Sequence, residues 1–524
     1  MKQINRRTFL KGVGVLGGTA LGLGVMNPFE AHARRQVVRY GFAATDIRRL
    51  DPMAGPNSTD KTVLVNIYDG LIDTSSGEVN VEKLQPGLAE SWESSKDLRT
   101  WTFHLRKGVE FHSGYGEFTS DDVVFSLNRA RNKKTSRYFK SYKLFKEIKA
   151  LDKYRVRITL EKPQTGVLLL PNLLGWQAGM TMSKKAAEKL GKKFKTHPIG
   201  TGPFAFKEHI PQERLVLVRN ENYFRGTPKI EQVVYRFLPN SSSRVLAFKA
   251  GELDLIEMDR EQRAIDQVKG PGVIIEAFGP PTVMKLHMDR TRKPLSDIRV
   301  RQAIAYAINR KEIVQFIGKD VAEPLYSVIP SHFVGGLQEI PASLRYDYNP
   351  EKAKKLLADA GLPDGFTLGP VFISEKAMFR RPMDLIQNQL SRVGIKIEVN
   401  VIAHPAWHKK NDEGSNPLVY RAATRFPTAN FILEEFFSVG AKRNFSHTTV
   451  AEADLNRAKG EMDAEVQKKL WRQAQIKILE DLAAYPTNVT KIIIARKSYV
   501  DLGFSTLKSN LCICVPIKWN ARLT

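Results

Sequence analysis

Cysteine is almost missing: only Cys512 and Cys514 occur in 524 residues. A disulfide framework is therefore excluded, and a lone C-x-C pair cannot supply the four ligands of a structural metal site. Both cysteines lie in an apolar, strand-like run and are expected as small buried hydrophobes on one face. Past the N-terminus no apolar run approaches the ~20 residues of a membrane span; the longest, Val167 to Leu174, is interrupted by Pro171. Reactive signatures are missing too, with no G-x-S-x-G, H-E-x-x-H or P-loop. Acid is scarce relative to base: 81 Lys and Arg stand against 55 Asp and Glu, a formal net charge of +26. Such charge admits nucleic acid, anionic membrane or anionic solutes, and selects none of them. Its densest stretch, Arg129-Ala130-Arg131-Asn132-Lys133-Lys134, has no interleaved aromatics for base stacking and reads as a solvated helix end, so nucleic acid is not an expected partner. What is present is 42% hydrophobic residues, enough for sizeable cores and, at roughly 150 residues per domain, about three domains.

The N-terminus supplies an address. Arg6-Arg7-Thr8-Phe9-Leu10-Lys11 precedes a soft apolar stretch, Gly12 to Val25, and Ala31-His32-Ala33 provides the small-x-small pattern of signal cleavage. Together they describe a secretory signal over residues 1–33, cleaved after Ala33, with periplasmic localisation. The arginine pair resembles the twin-arginine export signal, although Asn5 stands where Ser or Thr is usual. Gly12-Val13-Gly14-Val15-Leu16-Gly17 also matches the dinucleotide fingerprint, but inside a cleavable signal, with no strand before it, that match carries no meaning.

The remaining chain reads as mixed α and β. Strands are expected over Arg99 to Leu105, Tyr154 to Leu160, Arg214 to Arg219, Val233 to Leu238, Val283 to Met288 and Ile395 to Ile402. Thr119 with Asp122 forms a capping-box pattern at the head of a helix with Val123, Leu127 and Ala130 on one face. Asn349-Pro350-Glu351 opens another, which Gly361 ends. Asp297 to Ile313 reads as a further helix. Gly279-Pro280-Pro281 is expected to break the chain, a crossover between domains.

A set of motifs then follows in order: Leu50-Asp51-Pro52, Asn66-Ile67-Tyr68-Asp69-Gly70-Leu71, Pro86-Gly87-Leu88-Ala89-Glu90-Ser91-Trp92-Glu93, Gly200-Thr201-Gly202-Pro203-Phe204, Ala250-Gly251-Glu252-Leu253-Asp254 and Val300-Arg301-Gln302-Ala303-Ile304-Ala305-Tyr306-Ala307. The chain resembles the family 5 extracellular solute-binding proteins, the peptide and nickel class serving ABC importers. The resemblance implies an α/β fold, a two-lobed periplasmic binding protein of the large three-domain type, with a hinge and an inter-lobe ligand cleft. By this likeness one lobe comprises 34–53, 180–277 and 493–524, an extra domain inserted in it covers 54–179, and the second lobe covers 278–492. It further implies a monomer that is not an enzyme, needs no cofactor, takes a small-molecule or peptide ligand, and meets permease subunits in the inner membrane.

The resemblance also suggests where a ligand sits. Peptide-binding members carry a segment resembling G-W-x-x-D-Y-P-D-P-D-N-F, whose aspartate accepts the peptide's amino terminus. The matching stretch here is Arg421-Ala422-Ala423-Thr424-Arg425-Phe426-Pro427-Thr428-Ala429-Asn430. Arg425 stands at the first aspartate, and Thr428 and Asn430 at later ones. An ammonium beside Arg425 is repelled, whereas a carboxylate, phosphonate or sulfonate gains a two-pronged contact. Two roles stay open for Arg425: ligand partner, or partner of Glu434 or Glu435. Thr45, Asp46, Trp176, Gln177, Arg421, Phe426, Thr428 and Asn430 complete the candidate ligand-binding residues, with Trp176 equally readable as core. Alternatives are a di/oligopeptide receptor with a rearranged amine site, a metal-chelate receptor and an exported enzyme. The nearest metal-like pair is His404 and His408, without an acid or Cys beside it.

Overall fold

The structure, a computed structural model, describes residues 36–74, 81–424, 427–504 and 517–524. The signal segment, Arg425, Phe426, Cys512 and Cys514 lie outside the described residues.

Sequence-local signals set most elements. Helix Ser120–Arg131 starts at its expected box, where the Asp122 carboxylate accepts the Thr119 N–H at 3.0 Å. The same carboxylate accepts the Lys184 N–H at 2.9 Å, tying down the helix that follows. Helix Pro350–Asp359 is capped by Asn349, which accepts from Lys352 N at 2.9 Å, and Gly361 takes the left-handed φ of 80° just beyond it. The expected strands appear as Thr100–Leu105, Arg155–Leu160, Arg214–Arg219, Gln232–Phe237 and Ile395–Ile402. No described helix is long and apolar enough to cross a membrane.

Two expectations need correction. The segment read as one helix is two, Ile298–Ala307 and Arg310–Ile317. Asn309 divides them because its side chain accepts from the N–H groups of Lys311 and Glu312, capping a new helix instead of continuing the old one. Nor does Gly279-Pro280-Pro281 break the chain: it lies inside one sixteen-residue strand, Val273–Met288. Prolines cannot donate to a ladder, and the ladder accommodates them by an irregularity between Phe278 and Thr282.

That strand and its partner Ala484–Lys497 run antiparallel through the middle of a nine-stranded sheet, ordered Leu418–Ala423, Val273–Met288, Ala484–Lys497, Leu255–Glu257, Val37–Phe42, Gln232–Phe237, Arg214–Arg219 and Phe204–Ile210, with Ala322–Pro324 paired beside Ala484–Lys497. Val37–Phe42 pairs parallel with both its neighbours. A separate four-stranded antiparallel sheet holds Ala89–Ser94, Thr100–Leu105, Arg155–Leu160 and Phe145–Asp152.

Apolar burial divides into two large cores. One gathers Tyr40, Phe42, Phe103, Phe118, Leu217 and Tyr235. The other gathers Leu286, Ile304, Trp407, Phe436, Trp471 and Tyr485. A smaller cluster surrounds Phe248 and Ile256. The strand Ala484–Lys497 feeds all three, through Ile494, Val489 and Ile493 respectively. This strand therefore runs from one large core to the other, with Val273–Met288 paired along it.

Candidate ligand-binding site

The sheet's edge strand Leu418–Ala423 ends beside this junction and leads into helix Ala429–Phe437. Ile432, Leu433, Phe436 and Phe437 of that helix bury into the second core, while Phe431 packs against the first. The start of the helix thus lies where the two cores meet. Its N-cap, Thr428, is held by backbone bonds from Val334 N to Pro427 O and from Ala429 N to Val334 O, each 2.9 Å. Among the described residues the fully buried Thr428 hydroxyl meets no hydrogen-bond partner, and neither does the buried side-chain oxygen of Asn430.

Arg421 lies within strand Leu418–Ala423 and is 7% exposed. Its guanidinium stacks over Trp407 at 5.1 Å, and Nη1 donates to His408 Nδ1 at 2.9 Å. Directly opposite in the ladder is Lys285, itself fully buried, whose ammonium stands 5.1 Å and 5.6 Å from the rings of Phe436 and Phe437. Two cations in register repel one another. Next on the same face, His287 is sealed against Phe436, Phe437 and Phe445. Burial, then Lys285 and Arg421, hold it neutral far below the ordinary histidine range. Nothing in the motif comparison marked Lys285 or His287, yet the alternation Val283, Lys285, His287 in an apolar strand put both on one face.

The His404–His408 pair is settled by its hydrogen bonds. An arginine only donates, so His408 Nδ1 accepts and its proton sits on Nε2, which faces His404 Nε2 at 3.2 Å. His404 must accept there and carries its proton on Nδ1, 2.8 Å from Ser374 Oγ. Neither Nε2 lone pair is free for a metal. Burial and the Arg421 charge push His408 down to about 4, which preserves this neutral chain. Among the described residues no group of three or more His, Cys, Asp or Glu is placed to hold a metal ion.

The candidates near the first core have partners of their own. Asp46 takes His209 Nε2 at 2.7 Å and its neighbour's N–H at 2.8 Å, while Thr45 is exposed. Trp176 is 5% exposed within the first core, with Lys61 Nζ 4.6 Å above its ring. The Gln177 amide oxygen accepts from that ammonium at 3.2 Å and from the indole N–H at 3.1 Å. Glu434 and Glu435, the acids weighed as partners of Arg425, are engaged by Lys459 at 2.9 Å and by Arg443. Lys61 and His209 were not anticipated, since each reaches its partner across more than a hundred residues of chain.

Residues 83–444 match the model of the bacterial extracellular solute-binding proteins, family 5. The chain belongs to this family. Solved relatives agree over nearly the whole length: MoaA of A. tumefacien R10, in complex with mannopinic acid, is 34% identical with a TM-score of 0.79, over 94% of this chain and 100% of its own. The periplasmic binding protein DppA of Helicobacter pylori, in complex with peptide STSA, is 26% identical with a TM-score of 0.76, over 93% and 98% of the two chains. Heme-binding protein A of Haemophilus influenzae is 29% identical over 78% of this chain and 79% of that protein. This family 5 protein therefore has the α/β periplasmic binding-protein fold and is a substrate-binding component of an ABC importer, in a family of extracytoplasmic receptors and not of enzymes.

Proposed function

We propose that this family 5 receptor captures a small solute bearing an anionic group, exports through a signal cleaved after Ala33, and as a monomer delivers its ligand to the permease. The carrying observation is the register pairing of buried Lys285 with buried Arg421 at the end of the strand that feeds the motif segment. Their summed potential favours a negative group at the adjoining turn and disfavours an ammonium. Arg425 is the principal partner in this reading, with Phe426 next to it in sequence and Thr428 and Asn430 supplying uncharged hydrogen-bonding atoms. In this reading Thr45 and Asp46 contribute from the first lobe, and Trp176 and Gln177 from the extra domain. Asp46, the one acid in the set, is taken by His209, which argues against a peptide amino terminus there. The mannopinic acid held by the 34%-identical MoaA supports an organic acid.

The test is a thermal-shift screen of organic acids, mannopinic acid included, against dipeptides and glutathione, followed by calorimetry at fixed salt. A charge-assisted hydrogen bond contributes ~1.5–3 kcal/mol, so Arg425→Ala is expected to weaken binding of the selected acid by roughly ten- to a hundredfold. Arg425→Lys restores part of it, because an ammonium lacks the guanidinium fork. Tight binding of zwitterionic peptides, unchanged in Arg425→Ala, would refute the reading.

A further inference from the structure

A cavity of about 450 Å³ lies at the start of helix Arg310–Ile317, its wall including Ile308 of the second core. Arg310, 4% exposed, is part of that wall. Its Nε donates to the Pro486 carbonyl at 2.7 Å, and Nη1 donates to the carbonyls of Arg345 and Tyr346 at 2.8 Å and 3.2 Å. The rings of Tyr485 and Tyr326 lie 4.0 Å and 4.8 Å from the guanidinium carbon. The remaining nitrogen, Nη2, is buried and meets no hydrogen-bond partner among the described residues. A buried donor left in that state is costly, and an acceptor brought in from outside removes the cost.

The rest of the wall is cationic and aromatic. Lys311 is exposed and forms no ion pair among the described residues. Arg345 stands 4.8 Å from the Tyr326 ring, and its acid, the exposed Asp347, is 3.5 Å away. Asp347 also acts on Arg310, but from beyond ion-pair distance. Three cations against one carboxylate leave the lining positive. Tyr348 adds a second ring, 39% exposed. The ladder sets this cavity apart from the Lys285–Arg421 pair. Leu286 pairs with Tyr485 and Tyr420, whereas the adjacent Lys285 pairs with Pro486 and Arg421. Successive side chains of a strand leave opposite faces, so the Tyr485 ring under Arg310 and the Lys285–Arg421 pair lie on opposite sides of the sheet.

We propose that this cavity is a second binding site, for a small organic anion whose phosphate or carboxylate group meets Arg310 and Lys311 and whose flat body lies against Tyr326 and Tyr348. Its volume lies within the ~300–1,000 Å³ of small-molecule sites, so a bare oxyanion leaves most of it unfilled. The guanidinium supplies the fixed donor and the exposed lysine a charge that adjusts to the ligand. The site goes beyond the proposed function and does not depend on the charge of the transported solute.

Phenyl phosphate is the probe, titrated by calorimetry at fixed ionic strength, with inorganic phosphate beside it. Saturable binding of phenyl phosphate is expected, about tenfold tighter than that of inorganic phosphate because the ring meets the two tyrosines. Arg310→Lys is expected to weaken it about tenfold, since an ammonium does not reproduce the guanidinium fork. Lys311→Gln and Tyr348→Ala, at exposed positions, are expected to weaken it about threefold each. Thermal unfolding without ligand shows whether Arg310→Lys still folds, and the two exposed variants carry the test if it does not. No binding by the unmutated protein, or binding equal to it in both Lys311→Gln and Tyr348→Ala, overturns the proposal. Phenyl phosphate is also expected to bind undiminished when the acid selected by the screen saturates the protein. Displacement by that acid would put the probe in the transported solute's site, and this inference would fail while the proposed function stands.

Discussion

His112 is locked in one neutral tautomer: Nε2 donates to the Gly202 carbonyl at 2.9 Å, and Nδ1 accepts the Gly200 N–H at 3.4 Å. Burial pushes its pKa down to about 4, against ~6.5 in an unfolded chain. A folded pKa below the unfolded one means that the unfolded state takes the proton first. Stability from this site is therefore complete above about pH 6.5 and is lost as pH falls toward 4, on the order of 3 kcal/mol at ~1.4 kcal/mol per unit. Asp69 works the other way: burial raises its carboxyl to about 6, so its protonation below that pH favours the folded state. Urea unfolding between pH 7 and pH 4.5 is expected to show a steeper decline for the unmutated protein than for His112→Gln. Parallel declines would place the acid sensitivity elsewhere. His112 lies next to a legible motif in Gly200-Thr201-Gly202, yet its tautomer follows from contacts about ninety residues away in sequence, which no local pattern encodes.

Strand Ala484–Lys497 supplies buried side chains to both large cores, and Val273–Met288 pairs with it along its length in one ladder. Closure on a ligand would have to bend them at the irregularity between Phe278 and Thr282. Opposite this joint the cores also touch directly: Lys468 Nζ meets Glu82 at 2.6 Å, and the Thr165 hydroxyl donates to Gln467 at 2.8 Å with both groups buried. Opening of the proposed cleft would have to part these contacts. Small-angle scattering is expected to give a smaller radius of gyration with the acid selected by the screen than without it, after ligand carried through purification has been removed by partial unfolding. An equal radius at saturation would indicate a preformed pocket. Local sequence read these strands piecemeal, since a Gly-Pro-Pro triplet looks like a terminus until the partner strand shows a ladder able to slip around it.

For the molecule as a whole, charge and address belong together. Under the proposed anionic reading, a net charge of +26 raises the local concentration of the ligand and steers encounter, an effect that salt screens. The twin-arginine reading of residues 5–11 implies that the chain is exported folded. Replacing Arg6 and Arg7 together by Lys is expected to leave uncleaved precursor in the cytoplasm by fractionation and immunoblot. Export at the normal rate would assign the ordinary secretory route instead.

Helix caps, strand segments and the family were legible in the residues alone, because each depends on residues a few positions apart or on an ordered series of short motifs. The resemblance also sets a basic residue, Arg425, at the place of an aspartate in the peptide-type motif. What the candidate residues face was decided by the fold. Asp46 is hydrogen-bonded to His209 from 163 residues away, Trp176 lies in the core under Lys61, and Lys285 stands opposite Arg421 only because two distant strands pair in that register. Short-range signals survive in a string of residues because backbone hydrogen bonds and caps are local; the charge balance of a cleft is a sum over chain-distant neighbours, which exists only once the chain has folded.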